Sequence, residues 1–177
     1  MSPGNLYRYF PSKDAIVTGL VERDRAMLRE DFESFAQAER LEVVLRALAR
    51  KHFEEAPRSK AVLCVQIWSE ATVNPAIAAA NATLDSDLMD GIQRLIAAGR
   101  DRGEVAEGVD AVATARLIMS MSNGLFLRRA LFPDFDADNE IQALLCVIGG
   151  VLRGDIPQGG VSHLPSEGIL LAAETDR

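Results

Sequence analysis

The side chains best suited to chemistry lie at the start of this 177-residue chain, where Asn5, Tyr7, Arg8, Tyr9 and Lys13 bring together an amide, two phenols and two cations. An amide can pair with adenine through two hydrogen bonds, while hydroxyls and cations hold phosphates. The mixture suits a polyanion. Further along, Asp85, Asp87 and Asp90 place three carboxylates on one stretch. No histidine or second acidic cluster completes a metal site there, so they read as a solvated helix face. Only His52 and His163 offer a base, and neither a glycine-rich phosphate loop nor a serine in a nucleophile elbow is present. The chain reads as a non-enzyme with no cofactor and no metal.

These groups need elements to hold them. Pro3 fits the first turn of a short helix over about residues 2–9, because its missing N–H has no partner to lose there. Pro11 disfavours helical geometry at Phe10, and Ser12 is a natural N-cap with Asp14 in the first turn behind it. Ile16, Leu20 and Met27 run beside Val17, Val21, Leu28, Phe32 and Phe35 at helical spacing, which predicts one long helix to Phe35. A second helix is predicted from about Arg40 to Glu55, ended by Pro57. The run Ala61 to Trp68 fits a buried strand or a buried helix by periodicity; its continuation to Thr72 and the lack of a partner strand favour the helix. Asn74-Pro75 opens the next helix, which closes near Gly103, and Asp110 caps another that reaches about Leu131 before Pro133. The last runs from about Asp138 to Leu152. The fold class is therefore all-α.

Charge and composition fit this picture. Nearly half of the residues are apolar and a quarter are charged, as in a globular protein. No apolar run reaches the length of a membrane span, and no secretory signal opens the chain, so no membrane partner and a cytoplasmic location are expected. The formal charge is −7, yet residues 1–29 carry +2 and the remainder −9. The positive end coincides with the polyanion-suited stretch. Cys64 and Cys146 sit inside apolar runs without metal-ligand spacing and read as reduced core thiols, a single bridge being the alternative.

The two final helices are apolar nearly all round, and such helices must be covered on every side. The expected cover is a second copy of the chain, the helices meeting across a two-fold axis through Gly124, Leu127, Leu131, Ile141, Leu144, Leu145, Ile148, Gly149 and Leu152. A monomer with a thick core is the alternative.

The pattern Gly4, Leu6, Tyr7, Phe10, Ser12, Lys13 resembles the end of the helix-turn-helix in TetR-family transcriptional regulators. More loosely, Trp68-Ser-Glu-Ala followed by Asn74-Pro75, the Gly99 to Gly103 turn and Asn123-Gly-Leu125 resemble that family's C-terminal effector domain. The resemblance implies a TetR-like helical bundle in three parts: a partial helix-turn-helix over residues 1–35, a ligand-binding and dimerisation domain over 36–156, and a flexible tail over 157–177. It implies a ligand-responsive regulator, a repressor by preference, that acts as a homodimer. Operator DNA would meet Pro3, Gly4, Asn5, Tyr7, Arg8, Tyr9 and Lys13. A small apolar or amphipathic effector would lie among His52, Phe53, Gln66, Trp68, Glu70, Met119, Met121, Asn123 and Phe126. The family carries about two helices before this motif, so the resemblance also implies an N-terminally truncated helix-turn-helix, with operator binding a property of the full-length form and weak in the 177-residue chain. The rival reading is a helical small-molecule-binding or dimeric interaction protein without a DNA role.

Overall fold

Short polar side chains start four of the helices. Ser12 Oγ accepts from the Ala15 N–H at 3.1 Å, and Asn74 Oδ1 accepts from Ala76 and Ile77. Asp110 Oδ1 accepts from Val112 and Ala113, and Asp136 Oδ1 from Asn139. Each such cap is worth about 1 kcal/mol, because a helix otherwise leaves its first N–H groups without partners. In the computed structural model, which describes residues 12–35 and 40–158, the resulting helices are α1 (Lys13–Phe35), α2 (Leu41–Arg50), α3 (Arg58–Ala71), α4 (Pro75–Asp101), α5 (Ala111–Leu131) and α6 (Ala137–Leu152). A π-helical turn, Lys51–Glu55, joins α2 to α3. No strand occurs among the described residues, and the stretch from Ala61 to Trp68 is helical.

The predicted second helix is thus two elements. The Ala56 N–H reaches back five residues to the Lys51 carbonyl at 3.2 Å, which widens the last turn to a π turn. Sequence periodicity does not separate the two, because a single wider turn at the end of a helix is too short to establish a period of its own. The start of α2 is also unusual. Arg40 at its N-cap has no acceptor to offer, and the Leu41 N–H is instead met by Glu104 Oε2 at 2.6 Å, from the loop after α4. Arg102 holds the same carboxylate, and with it keeps the Glu104 carboxyl below its ordinary value.

Long α4 is the spine. It packs against α1, α3 and α5, while α3 packs on α5 and α6 closes over α2 and α5. Leu41, Val44, Phe53, Ile96, Ala115, Ile118 and Ile148 meet in one continuous core. Gly91 lets α1 and α4 approach: a Cβ there would collide with the Phe32 ring. Gly103 takes φ +74° to close α4, a conformation that costs glycine nothing.

Burial within the single chain divides the residues of the expected two-fold interface. Ile141, Leu144, Leu145, Ile148 and Leu152 are buried in the chain's own core, because α6 lays its richest apolar stripe on α2, the π turn and α5. Gly149 is half-buried against Arg153, and Gly150 makes room for Ile156. Gly124, Leu127 and Leu131 remain exposed, joined by Phe132. The cysteines divide likewise: Cys64 is half-buried, whereas Cys146 is exposed and no core thiol, and neither is bonded to the other.

Candidate functional site

All six helices and the π turn surround a cavity of about 370 Å³, within the size range of small-molecule sites. Its walls follow from helical spacing. One face of α1 contributes Asp24, Met27, Leu28 and Phe32; α4 contributes Asn81, Leu84, Asp85, Leu88 and Ile92. From α3 come Lys60, Cys64 and Trp68, and from α5 Ile118, Met119, Ser122, Asn123 and Phe126. Leu144, Leu145 and Ile148 of α6 and Leu45 and Leu48 of α2 form the floor.

The π turn lets two successive residues, His52 and Phe53, both reach this space. Phe53 meets Phe126 with ring centroids 4.9 Å apart and tilted, and Trp68 meets Phe126 edge-on at 6.0 Å, the offset arrangements that aromatic quadrupoles favour. His52 Nε2 is buried without a hydrogen-bond partner. Burial lowers its pKa from 6.5 to about 4, with the positive charge of Lys60 adding to the effect, so the imidazole is neutral at neutral pH. Burial likewise pushes the Cys64 thiol up, keeping it protonated.

The turn itself is clamped from α5. The Arg129 guanidinium donates to the carbonyls of His52 (3.2 Å), Glu54 (3.4 Å) and Ala56. In return, Arg58 at the start of α3 donates to the carbonyls of Arg129 and Ala130, at 3.2 and 2.6 Å. On the other side, α1 is tied down by Arg25 Nε to Asp87 Oδ2 (2.8 Å), Lys13 Nζ to Glu70 Oε2 (3.3 Å) and Asn74 Nδ2 to Asp14 Oδ2 (3.1 Å).

Of the effector-site residues expected from sequence, the structure brings His52, Phe53, Trp68, Met119, Asn123 and Phe126 to the cavity. Gln66 is exposed on the outer face of α3. Glu70 is engaged at the surface by Lys13, and Met121 packs against the core outside the cavity wall. Sequence reasoning missed the α1 wall, Asp24 to Phe32, and Lys60 and Cys64. The spacing of Met27, Leu28 and Phe32 marks an inward face, but not that it encloses space. Pro3, Gly4, Asn5, Tyr7, Arg8 and Tyr9 lie outside the described residues, as do residues 159–177 of the expected tail; Lys13 begins α1 and is exposed. The Asp85, Asp87 and Asp90 carboxylates form no metal-holding group among the described residues.

A bundle of helices around a mostly apolar cavity, one wall of which is the helix leading out of an N-terminal basic segment, defines a helical ligand-sensing class of protein. Residues 37–153 match the family profile described as the C-terminal domain of BetI-type transcriptional repressors, and the chain belongs to the TetR family of transcriptional regulators. Among curated relatives it is similar to the HTH-type transcriptional regulator UidR of Escherichia coli K12, with 24% identity over 162 residues, covering 86% of this chain and 77% of that protein. Among solved structures it resembles Salmonella enterica GusR, with TM-score 0.70 and 22% identity over 86% of this chain and 79% of that one. A transcriptional regulator from Saccharomonospora viridis in complex with choline is also similar, with TM-score 0.69 and 21% identity, covering 84% of this chain and 79% of that chain. No helix among the described residues is long and apolar enough to cross a membrane.

Proposed function

We propose that this protein is a homodimeric, effector-responsive repressor in the cytoplasm, in which a small amphipathic molecule in the cavity changes how the N-terminal segment meets operator DNA. The observation that carries this reading is that α1 does two jobs. Its C-terminal half supplies Asp24, Met27, Leu28 and Phe32 to the cavity wall, and its N-terminal end begins at Lys13, directly after the segment that resembles a recognition element. A ligand that pushes on Met27 and Phe32 would therefore move the helix that follows Asn5, Tyr7, Arg8 and Tyr9 in the chain. DNA contacts are assigned to Pro3, Gly4, Asn5, Tyr7, Arg8, Tyr9 and Lys13. In a dimer the two recognition elements must lie about one turn of DNA apart, so a small tilt of α1 is enough to lower affinity.

The dimer contact is assigned to the outer face of α5, where Leu127, Leu131 and Phe132 are 44, 60 and 47% exposed beside open Gly124. The test is a gel shift on the DNA flanking the gene, using protein expressed with any in-frame coding sequence that precedes Met1. Retardation that weakens with salt and is reversed by a cavity ligand is expected. A ligand that binds the cavity and leaves the DNA complex unchanged would overturn the reading.

A further inference from the structure

The cavity is polar mainly at its mouth. Asp24, His52, Lys60, Trp68 and Asn81 line both the cavity and the adjoining groove between α1, the π turn and α3. Phe53, Leu88, Ile92, Ile118, Phe126 and Ile148 line the inner part only. Such a gradient fits a ligand with a polar head and an apolar body, the body lying on the aromatic cluster of Phe53, Trp68 and Phe126.

The unpaired groups at the mouth decide the sign of the head. Other cations nearby are engaged: Arg23 with Asp24, Lys51 with Asp31, and Arg25 with Glu22 and Asp87. Lys60 has no acidic partner and no side-chain hydrogen bond among the described residues, although it is half-buried in the cavity wall. His52 Nε2 beside it is buried and also without a partner. Asp24 and Asp31 face the imidazole from α1, each already met by a cation, and Lys51 from its own turn. Asp85 adds a carboxylate on α4, where it is solvent-exposed. What His52 Nε2 and Lys60 lack is an acceptor of their own among the described residues. An ammonium and an imidazole N–H that line the same cavity can be satisfied together by one negatively charged oxygen pair, through charge-assisted hydrogen bonds.

We propose that the effector is an amphipathic carboxylate whose head lies between Lys60 Nζ and His52 Nε2 and whose apolar body fills the inner cavity. This assignment rests on the reading of the cavity as the effector site. Lys60 is the specificity-determining residue, and His52 in its Nε2–H tautomer positions the second carboxylate oxygen.

Trp68 is the only tryptophan of the chain and lines the mouth, so its fluorescence reports binding directly. Octanoate, 1-octanol and octyltrimethylammonium share a tail and differ in head charge. Titrated near neutral pH, octanoate is expected to bind about tenfold more tightly than octanol, the scale of a net charge-assisted bond, and octyltrimethylammonium more weakly than either. Lys60→Met should abolish the preference for octanoate over octanol, and Lys60→Arg should retain it. Octanol or octyltrimethylammonium binding as tightly as octanoate overturns the carboxylate assignment and leaves the cavity as effector site. A preference that survives in K60M overturns the role of Lys60. The head-group series on the wild-type protein decides the matter even if K60M does not fold. No binding by any of the three to folded protein overturns the effector-site reading, and this inference with it.

Discussion

Arg129, near the C-terminal end of α5, donates to the backbone carbonyl of His52 at 3.2 Å. One side chain thereby links the cavity-facing π turn to the helix that carries exposed Leu127 and Leu131. Arg129→Met removes three carbonyl contacts and leaves part-buried acceptors without donors, so it should destabilise the fold by about 1–3 kcal/mol, read as a lowered urea midpoint. Arg129→Lys keeps the charge but loses the planar fork, and should fall between wild type and R129M.

The lowered pKa of His52 makes stability depend on pH in a defined window. Between its folded value of about 4 and its ordinary 6.5, the unfolded chain binds a proton that the folded chain does not. Stability is therefore complete above pH 6.5 and declines as the pH falls toward 4, by about 3 kcal/mol in the limit. Urea unfolding at several pH values should show this slope, and His52→Gln should flatten it. An unchanged slope in H52Q would show that the acid sensitivity belongs to other groups.

Gly91 sits on α4 where a Cβ would meet the Phe32 ring of α1. Gly91→Ala must displace that ring, and Phe32 borders the cavity. The expected result is a loss of about 1–3 kcal/mol together with weaker ligand binding measured through Trp68. An alanine variant with wild-type stability and affinity would mean that the ring moves without cost, away from the cavity.

Leu127 and Leu131 are exposed on one face of α5. Replacing both with glutamate should convert a dimer to a monomer in native mass spectrometry while helical circular dichroism is unchanged, because buried carboxylates at a two-fold axis would face their own copies. Ile148→Glu should instead unfold the chain, since Ile148 is only 2% exposed within its own core.

Much of the fold was legible in the sequence because it is governed by local chemistry. Ser12, Asn74 and Asp110 announced helix starts, and each does accept N–H groups of the turn it opens. The apolar spacing along α1 and the motif Gly4 to Lys13 pointed to the family that residues 37–153 match. His52, Phe53, Trp68, Met119, Asn123 and Phe126 were legible as candidate cavity residues because small-molecule sites combine bulky apolar groups with a few polar ones, and the structure does bring them to one space.

Tertiary structure decided the rest, for a physical reason common to each case. Glu104 caps α2 from 63 residues away, Arg129 clamps a turn more than 70 residues earlier, and Lys60 of α3 and His52 of the π turn line one cavity. None of these relations has a local signature. The same holds for α6, whose periodicity shows that its stripe of Ile141, Leu144, Leu145 and Ile148 must be covered but not by what. The covering surface is this chain's own, because burying apolar area inside one chain requires no second molecule, while Gly124, Leu127 and Leu131 of α5 stay exposed. The sequence by itself determined the helical runs, the caps at Ser12, Asn74 and Asp110, and the family; packing determined which faces were used up and which groups, His52 Nε2 and Lys60 among them, line the cavity without partners among the described residues.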